Sequence, residues 1–338
     1  MFSTADSHYS QISKDQIMGM ASSWSSGYNY RLINAGEIEN KGIEIALNTR
    51  LIQTKDFSWD LNLNFSKNQN KVKELVDGVD MFELEKASWL DVQVAAKVGE
   101  NYGSIIGPDF QRNENGDILI DPSTGLPMYD KSSHILGNAS WDWTGGLVTT
   151  LAYKNLSLSA VFDVKVGADL YSMSARSAYE SGKALETLQG REEWYRSEEQ
   201  RKAAGFPKGS PDWKPTGGFI APGVIDNGDG TYRPNDIYIN PEDYWMSVCR
   251  NAPSMFIYDN SYVKCRELTL TYQFPKKLLK NVVDNLTISF VARNPFIVYK
   301  NIPNIDPDSN YNNTTGMGLE YGSLPSRKSY GFNVNIKF

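Results

Sequence analysis

Tyr330-Gly331-Phe332-Asn333-Val334-Asn335-Ile336-Lys337-Phe338 closes the 338-residue sequence and decides how the rest of it is read. Tyr330, Phe332, Val334, Ile336 and Phe338 alternate with Gly331, Asn333, Asn335 and Lys337. Strict period-two alternation is the pattern of a strand with one apolar and one wet face. The strand stops on an aromatic residue that bears the free carboxylate, with no polar tail. Closing strands of transmembrane β-barrels commonly have this form, because apolar residues face lipid and polar ones face the lumen. The five apolar residues are therefore read as a barrel-closing terminal signal.

Composition agrees without deciding. Hydrophobic residues make up 40% of the chain, with 19 Tyr, 14 Phe and 8 Trp, and the mean hydropathy is -0.45. Low hydrophobicity with many aromatic rings suits a barrel with a polar lumen and aromatic girdles. It suits a soluble carbohydrate-binding β-sandwich as well. A net charge of -6 argues against nucleic acid, whose phosphates need clustered Lys and Arg. No run of about 18 apolar residues is present, so a transmembrane helix is excluded. The N-terminus has neither the basic start nor the apolar stretch of a signal peptide. Since a barrel protein must be exported, a truncated start is expected. Cys249 and Cys265 are too few for a disulfide framework and are read as unpaired thiols.

The same alternation recurs upstream. Ile43, Ile45, Leu47, Thr49 and Leu51 alternate with Glu44, Ala46, Asn48 and Arg50; after a turn at Thr54-Lys55-Asp56, Phe57, Trp59, Leu61, Leu63 and Phe65 alternate with polar residues. This predicts a long hairpin with one polar or charged face. Burying Glu44, Arg50 and Asp60 in a sandwich core without partners would cost several kcal/mol, whereas a water-filled lumen solvates them. A sandwich escapes by turning that face outward, so the pattern favours a barrel without excluding the sandwich.

Weaker strands are expected at Leu90–Val98 and Tyr102–Arg112, then a hairpin through Lys154-Asn155 that joins Leu147–Leu151 to Leu156–Phe162. Further strands are expected at Leu268–Phe274 and Leu286–Arg293, with the closing strand last. The fold class predicted is all-β, a transmembrane antiparallel β-barrel segment of about nine strands, each near the roughly 9–11 residues that a tilted spanning strand needs. Residues 1–37 are read as loop, 38–166 as barrel strands, 167–257 as a long extracellular loop, and 258–338 as the last three strands. Helical pieces are expected near Tyr171–Ser181 and Arg191–Ala204 within the long loop. If the last strand runs toward the periplasm, the tight turns all fall on the periplasmic side and the long loops all fall outside.

An ordered set of landmarks then resembles the SusC/RagA type of TonB-dependent outer-membrane protein from Bacteroidetes. Asn34-Ala35-Gly36-Glu37-Ile38-Glu39-Asn40-Lys41-Gly42-Ile43-Glu44 is similar to that family's strand entry. Ile135-Leu136-Gly137-Asn138, Gly145-Gly146 and Tyr153-Lys154-Asn155 resemble its next landmarks. So do Tyr262 to Leu270 with Tyr272 and Pro275, then Arg293-Asn294-Pro295-Phe296, Asp306-Pro307-Asp308 and Pro325 to Phe332. They run in family order from about residue 34 to the end. One departure is Cys265, where the family usually has Leu. The resemblance implies the last strands of a barrel of about 22 strands, with signal sequence, plug, TonB box and the earlier strands lying outside this sequence. It implies a cell outer membrane location and contact with outer-membrane lipids. It also implies import of oligosaccharide or peptide with a SusD-like surface lipoprotein, driven by the TonB complex through the plug. Without closure, the sheet edge near Lys41–Ile52 would be left open, and the fragment alone is not expected to insert as a channel.

No catalytic, cofactor or metal constellation is read, and the chain is not expected to be an enzyme. His8 and His134 have no partner at metal or triad spacing and are read as surface loop residues. Asp121, Asp130, Asp306, Asp308 and Asn310 do not complete a calcium-loop pattern and are read as turn residues. Trp194, Tyr195, Trp213, Tyr232, Tyr244 and Trp245 lie in the long loop. They are candidate substrate or partner contacts, weighed against packing within the loop. Trp59, Trp141 and Trp143 are expected as interfacial anchors. A siderophore or cobalamin receptor and a soluble sugar-binding β protein are the alternatives.

Overall fold

The computed structural model describes residues 2–15, 17–21, 30–34, 36–86, 92–279, 283–310, 312 and 316–338. Eight strands lie side by side in chain order: Phe2–Ser13, Glu37–Gln53, Phe57–Glu74, Trp143–Tyr153, Leu156–Val166, Tyr262–Gln273, Asn285–Lys300 and Ser329–Lys337. Every neighbouring pair is antiparallel. The first and last strands each pair on one side only among the described residues.

Register follows from the alternation. Leu47, Leu63, Leu147 and Phe162 line up across four strands, and from the last of these Leu158 lines up with Leu270, Phe290 and Phe332 across the three strands that follow. On the other face Asn48, Asn62, Val148, Val161, Glu267 and Arg293 form a row. The apolar face is not covered by a second sheet: Leu63, Leu158, Leu270, Phe290 and Phe332 are 38%, 42%, 44%, 37% and 78% exposed. A soluble sandwich would bury that face, whereas a barrel turns it to lipid. Within Phe57–Glu74 the apolar side of the alternation runs from Phe57 to Phe65, then gives way to Lys67, Gln69, Lys71 and Lys73. The strand thus extends beyond its apolar band, which has the depth expected of a tilted spanning segment.

The connections sort by end. Residues 54–56, Lys154-Asn155 and residues 274–284 link strands at one end, and Lys154 takes φ 53 to make its tight turn. Residues 14–36, 75–142, 167–261 and 301–328 all link strands at the other end.

The long connections are not loose loops. Met81–Lys86, Gln93–Lys97, Tyr102–Phe110 and Tyr129–Asn138 form a four-stranded sheet of their own. Asp169–Ser172 pairs with Ile257–Asp259 and with Leu319–Glu320, which ties the connections 167–261 and 301–328 together. Helices α1 (Met173–Glu180), α2 (Arg191–Ala203) and α3 (Pro241–Asn251) complete the body. Its core joins Val94 and Ile105 to Tyr171, Cys249, Phe256 and Leu319. A second cluster packs Phe110 and Ile120 on Phe219, Tyr244, Trp245 and Val248. Among the described residues, most of the fully buried apolar side chains lie here, not in the eight-stranded sheet.

Several expectations change. The segment read as loop over 1–37 holds the strand Phe2–Ser13, paired with Glu37–Gln53, and a small hairpin of Ile17–Ala21 with Tyr30–Asn34. Phe2–Ser13 carries no alternation signal in the sequence, because Thr4, Asp6, His8 and Ser10 leave it no apolar face. The strands expected at Leu90–Val98 and Tyr102–Arg112 exist as Gln93–Lys97 and Tyr102–Phe110 but leave the main sheet; Leu90 lies outside the described residues. The range 38–166 therefore includes a folded excursion over 75–142, and the main sheet has eight strands where about nine were expected. Both helical expectations hold as α1 and α2. Helix α3 is an addition to those expectations; its sequence signal is Asn240 as cap, Pro241 at its opening, and Glu242 and Asp243 in its first turn. His8 and His134 sit in strands, not loops.

Candidate functional site

The polar face of the eight-stranded sheet carries a cavity of about 800 Å3, lined by Asn48, Asn62, Asn64, Asp163, Lys165 and Arg266 among others. Strand alternation puts these side chains on the face opposite the exposed leucines and phenylalanines. Arg50 donates to Asp60 across the hairpin at 2.6 Å. Trp141, expected as an interfacial anchor, turns to this side and meets Tyr262 edge-on at 5.9 Å, with Lys165 over its ring. Trp59 and Trp143 remain on the apolar side, where Trp143 packs at 5.6 Å from Phe65.

Where this face meets the folded connections, charges concentrate. Lys264 is 2% exposed. Its Nζ donates to Asp308 at 2.6 Å and to Asp306 at 3.2 Å. Arg266 reaches Asp308 at 2.8 Å and forms an ion pair with Asp163, and Tyr262 donates to Asp308 at 2.9 Å. Burial by itself would raise the Asp308 carboxyl. The hydrogen bonds from Arg266 and Lys264 outweigh it and hold the group well below the usual carboxylate range. The oxygens of Asp306 and Asp308 are thus committed to cations and to Ser326. The sequence held a signal for this cluster, since Tyr262, Lys264 and Arg266 alternate onto one face. Their acidic partners, some 42 residues on, could not be assigned from it.

A second buried carboxylate pins the last long connection to α1. Glu320 is 1% exposed and accepts from Ser172 Oγ at 2.8 Å, Ser174 N–H at 3.0 Å, Ser174 Oγ at 2.7 Å and Ser323 N–H at 3.0 Å. It lies at the N-terminus of α1, where unpaired N–H groups and the helix dipole favour an anion.

The six aromatic candidates separate. Tyr244 and Trp245 are 3% and 7% exposed in the core of the folded connections, and burial pushes the Tyr244 hydroxyl up to about 12. Trp213 packs on Phe206 at 5.7 Å. Tyr232 donates to Glu114 at 3.0 Å on an exposed hairpin. Trp194 is half-buried, with Gly218 approaching its ring so closely that a Cβ there would sit 3.0 Å from it. Tyr195 is 66% exposed. Of the six, Trp194, Tyr195 and Trp245 line one cavity of about 230 Å3 between α2 and α3. Cys249 and Cys265 are both buried free thiols.

The chain is similar to TonB-dependent receptor P3 of Formosa agariphila, 25% identical over 340 residues, covering 93% of this chain and 30% of that protein. It is also similar to the TonB-dependent receptor SusC of Bacteroides thetaiotaomicron, 21% identical, covering 90% of this chain and 27% of that protein. Among solved structures, the RagAB peptide importer in its closed-closed state matches with a TM-score of 0.68 and 18% identity, covering all of this chain and 33% of that one. No protein-family model matches. The chain spans about a third of the length of these relatives. The resemblance read from the ordered landmarks therefore holds: the fold is a barrel segment of the TonB-dependent receptor type, similar to SusC and RagA.

Proposed function

We propose that this chain is the C-terminal barrel segment of a TonB-dependent importer in the bacterial outer membrane. The observation that carries the reading is the two-faced sheet: exposed leucines and phenylalanines on one side, asparagines and ion pairs on the other, and every long connection folded at one end. Facing lipid, the apolar side needs no cover; facing a wet lumen, the polar side needs none. The complete protein would take up oligosaccharides or peptides through this lumen, with a SusD-like lipoprotein above the folded connections and the TonB complex acting on a plug. The segment contributes wall and outer surface and carries out no bond chemistry. Trp194 and Tyr195, at the outer end and partly open, are the aromatic residues best placed for substrate or partner contact.

The test is accessibility in intact cells. Leu188→Cys, 54% exposed in the folded connections, should react with a membrane-impermeant maleimide. Lys55→Cys, in the 54–56 turn, should react only after the outer membrane is opened. Labelling of Lys55→Cys in intact cells, or recovery of the protein in the soluble fraction, would overturn the reading. Loss of growth on chelated iron or cobalamin, with glycan and peptide growth intact, would overturn the substrate class.

A further inference from the structure

The small cavity between α2 and α3 has a chemistry of its own. Its walls are the rings of Tyr179, Trp194, Tyr195 and Trp245, and its carboxylates are Glu180 and Glu242. The one cation that lines it, Arg191, is already committed. Its Nε donates to the Thr187 carbonyl at 2.7 Å, and its Nη2 donates to the Gly182 carbonyl at 2.8 Å and to Thr187 Oγ1 at 2.6 Å. That geometry holds the guanidinium against the turn before α2. Glu180 has only a loose ion pair with Arg176 at 3.5 Å, and Glu242 has no cation within ion-pair distance among the described residues.

The far side of Trp194 carries charges of both signs, Asp243 and Arg250. Asp243, next to Glu242 on α3, lines a second cavity against the same indole. Burial and the neighbouring Glu242 raise its carboxyl above the ordinary range, with Lys208 offsetting them only in part. Glu242 therefore keeps a carboxylate in the cavity beside the Trp194 indole that no cation within ion-pair distance neutralises among the described residues. Aromatic faces with nearby carboxylates attract a desolvated cation, through the ring quadrupole and by direct charge. At about 230 Å3 the cavity is below the roughly 300–1,000 Å3 of a site that encloses a drug-sized ligand. It has room for one side-chain head, not for a sugar chain.

We propose that this pocket receives the cationic head, an ammonium or a guanidinium, of a basic residue in a peptide. The inference deepens the importer reading, since it rests on the folded connections facing the substrate. The rings of Trp194 and Tyr195 cover the head, and Glu242 at the rim supplies its counter-charge.

The experiment uses the complete barrel protein that contains this chain, purified in detergent micelles, with binding followed by tryptophan fluorescence and calorimetry. The probes are Nα-acetyl-arginine amide, Nα-acetyl-lysine amide, their neutral isostere Nα-acetyl-citrulline amide, and maltotriose. Arginine or lysine amide should bind about tenfold or more tightly than citrulline amide. Glu242→Gln should weaken that binding several-fold, while Glu192→Gln, on α2 outside the pocket, should leave it unchanged. Equal affinity for the citrulline probe, binding of maltotriose alone, an unaffected Glu242→Gln, or no binding of any probe would overturn the proposal. Uptake assays stand apart from this outcome. Binding without import would sink the transport reading and leave the pocket, and import without cation preference would do the reverse.

Discussion

Asp308→Asn is the sharpest perturbation of the joint between the sheet and the folded connections. It removes one carboxylate from Lys264, whose side chain is 2% exposed, and leaves Asp306 as the remaining anion at 3.2 Å. It also strips a ligand from Arg266, which keeps Asp163. Removing one member of a fully buried ion pair costs about 3–5 kcal/mol, because the other charge stays buried. Here both cations keep an acidic neighbour, so the expected cost is about 2–3 kcal/mol. Every 1.4 kcal/mol is a factor of ten, so local opening of the last long connection should become roughly 30- to 150-fold more frequent. Native-state hydrogen exchange of peptides spanning 301–310 and 319–328 reads this directly. The pH dependence has a definite sign. The folded-state carboxyl of Asp308 is depressed, so its contribution is present above the ordinary carboxylate range near about pH 4. It is lost only as pH falls below that range through the depressed value. Wild-type protein should therefore keep full protection at pH 5 and approach the variant only in strong acid. Exchange in the variant within threefold of wild type at pH 7, or wild-type protection lost between pH 7 and 5, would refute the reasoning.

Three further outcomes follow from the geometry. Leu158→Arg, on the exposed apolar face, should cost about 2–4 kcal/mol of folding stability in the complete barrel protein in lipid vesicles, while Ser159→Arg on the opposite face should cost little; equal effects would mean the faces are assigned wrongly. Glu320→Gln should weaken a buried acceptor of four hydrogen bonds by about 1–3 kcal/mol and speed exchange in α1; unchanged exchange there would show that Glu320 does not pin the helix. Cys249 is buried and its thiol is pushed up to about 12 by burial, so mass spectrometry should find it unmodified by iodoacetamide at pH 8 until the protein is denatured.

Much of the fold was legible because strand alternation is a local signal. Phe57 to Phe65, Leu286 to Ala292 and Tyr330 to Phe338 each announce their two faces within one strand, and tight turns such as Lys154-Asn155 fix which strands are neighbours. Phe2–Ser13 has no such face. It is a strand because Glu37–Gln53 offers it a hydrogen-bonding edge, which is a fact about the partner. The aromatic candidates show the same limit. In the sequence Tyr244 and Trp245 suit substrate or partner contact and packing within the long loop alike, and it is the core formed with Phe110 and Ile120 that buries them.

The sequence by itself determined that this chain is a sheet with one apolar and one polar face, and that its long connections share an end. Both follow from the period-two repeat and from strand parity, which need no knowledge of distant residues. Only the tertiary structure decided that those connections fold into a body with its own hydrophobic core. It also decided that Lys264 and Arg266 find Asp306 and Asp308, and that Trp194 is half-buried while Trp245 is nearly closed off. Those outcomes depend on contacts between segments tens of residues apart, where burial is set by the sum of neighbours and not by any pattern within one strand.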